Sequence, residues 1–239
     1  MDKNYVTANI NEQDIEQYLN YILTEESYYG YWFEEAKTLL ETFKKDKTAF
    51  ISRLNAINYI NENYQKFQQK DWESFYDNYK NDDVIKVYLT YNKSTPTNIV
   101  EDIVKNTEAI QGSVSLPVNY NTTEMKQIIF ALQHDLSDNT LSEIFNSLDA
   151  SIYFAIAHNF ENFSREKYIL SQKANNFICE SILKQIQNKT INYYHYQKSE
   201  QESLQMFFRN NTDKDYLINL INRDMTSFIL TDEIRSAII

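Results

Sequence analysis

The sequence predicts an all-α fold, an antiparallel helical bundle or a stack of helical hairpins with roughly ten to thirteen helices. Only two glycines and two prolines occur in 239 residues, so the chain has few of the residues that form the positive-φ corners of tight β-hairpins. Apolar residues recur at three- and four-residue intervals along most of the chain, which is the helical period. The aromatic share of 15% supplies large side chains for a core.

Apolar stripes with helical spacing occupy the first third of the chain. The links between them are short and polar, which favours antiparallel packing of neighbouring helices. No position recurs at the period of a helical repeat, so a repeat scaffold is kept only as an alternative. The stripes run through residues 15–22, 29–43, 51–67 and 72–79.

The segment from Asp83 to Tyr91 is ambiguous, because apolar and polar residues alternate along part of it. A period of two is typical of a strand, but a lone strand needs a partner and no good second strand is visible. We therefore predict a short buried helix here and keep a strand as the alternative.

Helix start and stop signals predict the remaining elements. Thr95 is predicted to cap a helix with Pro96 at its first position, and Gly112 is predicted to end it. Residues 113–121 are predicted to form the one substantial linker. We therefore predict an N-terminal lobe over residues 1–112 and a C-terminal lobe over residues 122–239. The alternative is one compact domain. Later helices are predicted to start at Asp138, at Ser164, at the capping-box pair Ser199 and Glu202, and at Thr231.

Composition excludes several function classes. The two glycines lie too far apart for any P-loop, dinucleotide-binding or nucleophile-elbow motif, and one cysteine cannot form a C-x-x-C pair. The formal net charge of −11 disfavours nucleic acid and anionic membranes as direct partners. The first residues lack the apolar core of a signal peptide, so the prediction is a cytoplasmic protein.

The candidate chemical residues are few. His134 and Asp135 form an HD dipeptide, but no earlier histidine exists to complete a metal phosphohydrolase site, so an ordinary polar helix position is predicted. His158 lies in a highly apolar helix and could act as a base, although a core histidine is the simpler interpretation. His195 is predicted to be a surface or packing residue. Cys179 is predicted to be a small buried hydrophobe.

Adjacent positions on a helix point about 100° apart, so two adjacent carboxylates cannot bind one metal ion together. The four pairs of adjacent carboxylates are therefore predicted to be solvated or to lie at helix N-termini. The sequence therefore predicts no metal and no cofactor. The pairs are Glu25–Glu26, Glu34–Glu35, Asp82–Asp83 and Glu101–Asp102.

The densest aromatic segment, EESYYGYWFEE at residues 25–35, is the predicted partner-binding site. Its aromatic rings cannot all face one core, and Gly30 at its centre could break the helix. Tyrosine and tryptophan are enriched at protein interfaces. The alternative is that the rings pack inside the protein. The predicted site residues are Tyr28, Tyr29, Tyr31, Trp32, Glu34 and Glu35.

These observations predict a non-enzymatic, acidic protein that binds another protein, with a basic protein as the partner that its charge favours. In size, helix content and acidity the chain resembles helical immunity proteins and small phage inhibitors, which neutralise a toxin or nuclease by occlusion. Two alternatives stay open: a helical enzyme or small-ligand protein that uses His158 and neighbouring acids, and a helical-repeat scaffold. The sequence leaves the partner's identity and the oligomeric state undetermined.

Overall fold

A computed structural model describes residues 13, 15, 40–107, 110, 123–147, 151–162, 170–188, 198–224 and 228–239. For residues 147, 151, 158–162, 224 and 228–231 this description covers the backbone only. Within these ranges the regular structure is entirely helical, which confirms the predicted all-α fold.

Eleven α-helices have both ends within the described residues, and a 3₁₀ turn at Tyr64–Lys66 follows the first of them. Residues 40–45 are also helical. The helices are α1 (Lys47–Asn63), α2 (Gln69–Tyr79), α3 (Asp83–Tyr91), α4 (Thr97–Lys105), α5 (Thr123–Ala131), α6 (Asp138–Ser147), α7 (Ser151–Asn162), α8 (Gln172–Gln187), α9 (Lys198–Asn210), α10 (Lys214–Asp224) and α11 (Phe228–Ile238).

The chain divides into two compact units, Met1–Phe75 and Tyr76–Ile239. In the first unit Asp46 starts α1 by accepting a hydrogen bond from the Ala49 amide at 2.9 Å. Phe43 is fully buried and meets Phe50 edge to face. The other buried apolar residues described in this unit are Leu40, Ala56, Ile60, Trp72 and Phe75.

The second unit has one large apolar core. Helix α3 packs against α4 and α5, and α4 also contacts α6. Helix α9 packs between α7 and α11, and α8 contacts α6, α9 and α10. The largest side chains buried in this core are Tyr153, Phe207 and Phe208, each no more than 1% exposed. Burial of aromatic side chains of this size is a dominant source of stability in a small domain.

The ambiguous segment is a helix, as predicted. The carboxylate of Asp82 accepts hydrogen bonds from the amides of Val84 and Ile85, at 3.1 and 3.2 Å, and so caps α3. Ile85 and Leu89 are four residues apart and fully buried. The alternation seen in the sequence arises because α3 carries apolar residues on its exposed face as well.

Both ends of α4 differ from the prediction. The helix starts at Thr97 with Pro96 as its N-cap, and the hydroxyl of Thr95 makes no capping hydrogen bond. It ends at Lys105, before the predicted stop at Gly112, which lies outside the described residues. The helix ends early because of a local contact. The side chain of Asn106 donates a hydrogen bond to the Asp102 carbonyl at 2.8 Å, and this carbonyl near the end of the helix is thereby satisfied.

Three other predicted starts are wrong. Helix α8 begins at Gln172 because Ser171, rather than Ser164, accepts a hydrogen bond from the Ala174 amide at 3.1 Å. Ser199 lies inside α9, and Thr231 lies inside α11. The start of α6 at Asp138 is confirmed. A capping-box spacing is therefore compatible with positions inside a helix as well as at its start.

The predicted linker, residues 113–121, lies outside the described residues, so the boundary between lobes 1–112 and 122–239 stays a prediction. Within the second unit, helices on both sides of this linker are in contact, since α3 and α4 pack against α5.

Candidate functional site

The predicted binding segment lies outside the described residues. Tyr28, Tyr29, Tyr31, Trp32, Glu34 and Glu35 all fall in this part of the chain, as does His195. Their role in binding stays a prediction.

His134 lies in the turn after α5 rather than on a helix, and it is buried, with 6% of its surface exposed. Its Nε2 atom lies 2.9 Å from the Thr90 carbonyl oxygen near the end of α3. Because a carbonyl can only accept, Nε2 carries the proton and donates it. Burial lowers the pKa of His134, and the charge of Lys93 acts in the same direction. The other member of the HD dipeptide, Asp135, is exposed to solvent.

The single cysteine is inert, as predicted. Cys179 is fully buried in α8, and burial raises the pKa of its thiol to about 12. A thiol with such a pKa is protonated at neutral pH and is a poor nucleophile.

A network of side-chain amides centred on the buried Asn211 lies beside this cysteine and was not predicted. Asn211, which is 1% exposed, donates from Nδ2 to Asn176 Oδ1 at 2.7 Å. Its Oδ1 accepts from Gln172 Nε2 at 2.7 Å and from the Asp213 amide at 2.8 Å. Asn211 therefore joins the end of α9 to the starts of α8 and α10. An asparagine at a helix end is also common in exposed turns, so the sequence alone gave no sign of its burial.

The two described carboxylate pairs do not form a joint site. Asp82 and Asp83 lie at the start of α3, as predicted, whereas Glu101 and Asp102 lie inside α4. Asp82 caps α3, and Asp83 forms an ion pair with Lys86 at 2.5 Å. Glu101 Oε1 accepts a hydrogen bond from the Ser137 amide at 2.5 Å, at the start of α6. Partial burial raises the pKa of Glu101, but the hydrogen bonds of Ser137 and Thr140 and the charge of Lys105 together outweigh this effect, and the net shift is downward.

Asp102, the neighbour of Glu101, takes a different partner. Its Oδ2 accepts a hydrogen bond from the Tyr76 hydroxyl at 2.7 Å, and Asn106 donates to its Oδ1 at 3.1 Å. Burial, together with this hydrogen bond, raises the pKa of Tyr76 well above its ordinary value. The adjacent carboxylates thus point to separate partners, as the helical geometry predicts.

No group of three or more His, Cys, Asp or Glu side chains that could hold a metal ion occurs among the described residues. His158 belongs to α7, but its side chain is outside the description, so the alternative in which it acts as a base stays untested.

Two hollows beside α11 are shallow. One, of about 290 Å³, lies between α9 and α11 and is polar. The other, of about 300 Å³, lies between α10 and α11 and is lined mainly by isoleucine. Volumes of this size are at the lower limit of small-molecule sites. The residues of the second hollow are Ile218, Asn222, Arg235, Ile238 and Ile239.

Comparisons of the chain with models of protein families, with curated protein sequences and with solved structures find no match. Within the described residues no helix is both long enough and apolar enough to cross a membrane.

Proposed function

We propose that the protein is a non-enzymatic binding protein that inhibits a partner protein by covering its working surface, in the manner of toxin-immunity and phage inhibitor proteins. The observation that carries this proposal is the distribution of charge. Residues 1–43 contain nine Asp and Glu residues against two Lys, a net charge of −7 out of −11 for the whole chain. The aromatic segment at residues 25–35 lies inside this acidic stretch.

Acidity and aromatic residues contribute differently to binding. A concentrated negative charge accelerates the encounter with a basic protein, and it suppresses association with acidic ones. Tyrosine and tryptophan supply affinity, because a few such rings that become fully desolvated carry most of the binding energy of an interface. The partner that fits residues 1–43 is therefore a protein with a basic surface.

Four of the described ionisable groups have surroundings that suit a structural role rather than catalysis. His134 donates to a backbone carbonyl, and Cys179 is buried with a raised pKa. Glu101 accepts from a helix N-terminus, and Glu180 pairs with Lys184 at 2.8 Å. Each of these groups is buried or has a partner within the fold, whereas a catalytic acid, base or nucleophile has to reach a substrate.

The same proposal places the protein in the cytoplasm, where its one thiol stays reduced. It includes no nucleic acid or membrane as a direct partner. The action is occlusion: the bound protein excludes the partner's own substrate or target and takes no part in chemistry.

Affinity capture from cells of the source organism, followed by reconstitution with the purified partner, tests the proposal. We expect one basic protein that binds at a one-to-one ratio and loses its activity when bound. Trp32→Ala and Tyr31→Ala should each weaken the complex about tenfold or more. Tyr91→Ala is the matched control, because Tyr91 is a tyrosine on α3 with 40% of its surface exposed.

Two results would contradict the proposal. One is equal affinity of the Trp32→Ala, Tyr31→Ala and Tyr91→Ala variants for the partner, which would remove residues 25–35 from the interface. The other is capture of no stoichiometric partner together with thermal stabilisation by a metabolite, which would favour the small-ligand alternative.

A further inference from the structure

The turn between α5 and α6, residues 132–137, is joined to two other helices by ionisable side chains. His134 Nε2 in this turn donates a hydrogen bond to the Thr90 carbonyl near the end of α3, at 2.9 Å. The Ser137 amide, at the end of the turn, donates to Glu101 Oε1 on α4, at 2.5 Å. We call residues 132–137 the junction turn.

The contact of the junction turn with α8 does not depend on an ionisable group. The amide of Ser171, the N-cap of α8, donates to the Leu132 carbonyl at 2.9 Å. Lys173 Nζ on α8 also lies 3.0 Å from Asp138 Oδ1 at the start of α6, but these side chains are 41% and 84% exposed, so this ion pair contributes little. The backbone hydrogen bond therefore holds the turn on α8 in acid and at neutral pH alike.

His134 lies where a positive charge is unfavourable. It is 6% exposed, its neighbour Asp135 is exposed to solvent, and the positive charge of Lys93, just after α3, acts on it. Burial lowers the pKa of His134 below its ordinary value of 6.5. A proton added at Nδ1 buries a charge, and opening the contact with α3 returns that charge to water. The contact is therefore at full strength above about pH 6.5 and weakens as the pH falls toward the folded pKa.

Glu101 responds to acid at a lower pH. Partial burial raises its pKa, but the hydrogen bonds of Ser137 and Thr140 and the charge of Lys105 together bring the pKa below its ordinary value of 4.5. The adjacent Asp102 accepts its hydrogen bonds from other residues. A protonated carboxyl group is a weaker acceptor than a carboxylate. The contact with α4 is therefore at full strength above about pH 4.5 and is lost as the pH falls through the folded pKa.

The connection between α3 and α4, residues 92–96, has mainly local hydrogen bonds. The Asn92 amide donates to the Tyr88 carbonyl, and the Thr95 amide donates to the Asn92 carbonyl, both at 2.9 Å. Pro96, the N-cap of α4, supplies no side-chain hydrogen bond. Bonds between residues three or four apart shape this segment without fastening it to α5, so it can open while the rest of the fold stays closed.

We propose that the junction turn is an acid-sensitive switch that opens in two ordered steps while the core formed by α7–α11 stays folded. In the first step, protonation of His134 releases the end of α3 and residues 92–96. In the second step, at lower pH, protonation of Glu101 releases α4 from the turn. The backbone hydrogen bond of Ser171 keeps the turn on α8 throughout.

Amide hydrogen exchange of the full chain, followed by NMR from about pH 7.5 to about pH 3.5, tests the order of the steps. Each rate is divided by that of an unstructured amide at the same pH, which removes the direct effect of pH on exchange. The Asn92 amide reports the first step, the Ser137 amide the second, and the amide of Ile178, inside α8, reports the core.

We expect the protection of the Asn92 amide to fall severalfold between about pH 7.5 and about pH 5.5, where uptake of one proton allows a change of up to about tenfold. The Ser137 amide should lose protection only below about pH 4.5, and Ile178 should keep its protection throughout. The NMR signal of the His134 ring in the natural chain should titrate over the same range in which Asn92 loses protection.

Two conservative variants separate the steps. His134→Gln should abolish the first step and leave the second, and Glu101→Gln should do the reverse. Glu143→Gln is the matched control, because Glu143 on α6 accepts a hydrogen bond from Asn139 of the same helix, at 2.9 Å, and should leave both steps unchanged.

Three results would overturn the proposal. Loss of protection at Asn92, Ser137 and Ile178 together would mean global unfolding instead of a local switch. Loss at Ser137 before Asn92 would reverse the order. A first step that is unchanged in His134→Gln, or a His134 ring that titrates without any change at Asn92, would remove His134 from the switch.

Discussion

Two buried threonines near the α3–α4 connection differ in one hydrogen bond. The hydroxyl of Thr90 donates to the Val87 carbonyl at 2.8 Å, and Thr90 is fully buried. The hydroxyl of Thr95 is also buried, with the residue 3% exposed, and has no hydrogen-bond partner among the described residues. A buried hydroxyl without a partner loses its hydration and gains nothing in return.

Thr95→Val should therefore raise the free energy of unfolding by about 1 kcal/mol, because valine has nearly the same shape and no polar atom to desolvate. The measurement is chemical denaturation by urea. Thr90→Val is the control. Its free energy of unfolding should fall by about 1 kcal/mol, because this substitution removes a hydrogen bond. If both variants lose stability equally, the Thr95 hydroxyl has a partner after all.

His134 makes the stability of the protein dependent on pH. Its pKa is lowered in the folded state by burial, whereas it is about 6.5 in an unfolded chain. Between these two values the unfolded state binds more protons than the folded state. Stability is therefore fully present above about pH 6.5 and falls as the pH is lowered toward the folded pKa.

We expect the urea midpoint to decrease between pH 7.5 and pH 5.5, and the decrease to be smaller in His134→Gln. The comparison is the difference between the two pH values within each protein, so any loss of stability from the substitution itself cancels. His195→Gln serves as the control for a general effect of removing a histidine. An unchanged pH difference in His134→Gln would assign the effect to other groups.

At the scale of the element, α3 illustrates what a local pattern can and cannot predict. The alternation over Asp83–Tyr91 fits a strand, yet Asp82 offers a helix cap and Ile85 and Leu89 have helical spacing. The absence of a partner strand in the sequence correctly favoured the helix. The exposure of Val84 and Tyr91 was not predicted, because the sequence does not say which apolar face of a helix meets the core.

The cap of α3 can be tested by substitution. Asp82→Ala removes the acceptor for the Val84 and Ile85 amides and should cost about 1 kcal/mol of unfolding free energy, measured at low protein concentration. Asp83→Ala is the neighbouring control. It removes an ion pair in which the Asp83 side chain is 62% exposed, and should cost less than about 0.5 kcal/mol. Equal losses would assign the effect of Asp82 to charge rather than to capping.

Helix ends were the least predictable feature. Ser171 caps α8 while Ser199 lies inside α9, although both are serines preceding apolar, helical segments. Asn106 ends α4 well before Gly112. Many serines and asparagines in this chain could cap a helix, and the choice depends on where packing leaves backbone amides and carbonyls without a helical partner.

At the scale of the whole molecule, net charge and its distribution are the properties that follow most directly from the sequence. Most of the net charge belongs to residues 1–43, and the proposed function assigns it to the encounter with a basic partner. Electrostatic steering depends on the local field and is screened by salt, so the position of the charge matters as well as its total.

Two variants of equal net charge separate these effects. In the first, Gln replaces Glu25, Glu26, Glu34 and Glu35, and in the second, Asn replaces the exposed Asp77, Asp135, Asp215 and Asp232. We expect the association rate constant for the partner to fall more in the first variant, and its dependence on salt between about 0.05 and 0.5 M to become shallower. Stopped-flow mixing measures both quantities. Equal effects would mean that total charge alone controls the encounter.

The sequence by itself determined the all-α fold and the helical nature of Asp83–Tyr91, because these depend on glycine content and local periodicity. The inert character of Cys179 was predicted from its apolar neighbours in sequence, but its cause is burial in the folded core. Tertiary structure decided the rest. It buried His134 against the Thr90 carbonyl, placed Asn211 between three helices and left Val84 and Tyr91 of α3 exposed. Each of these depends on contacts between residues distant in sequence, and no local pattern encodes which distant backbone a polar side chain will meet.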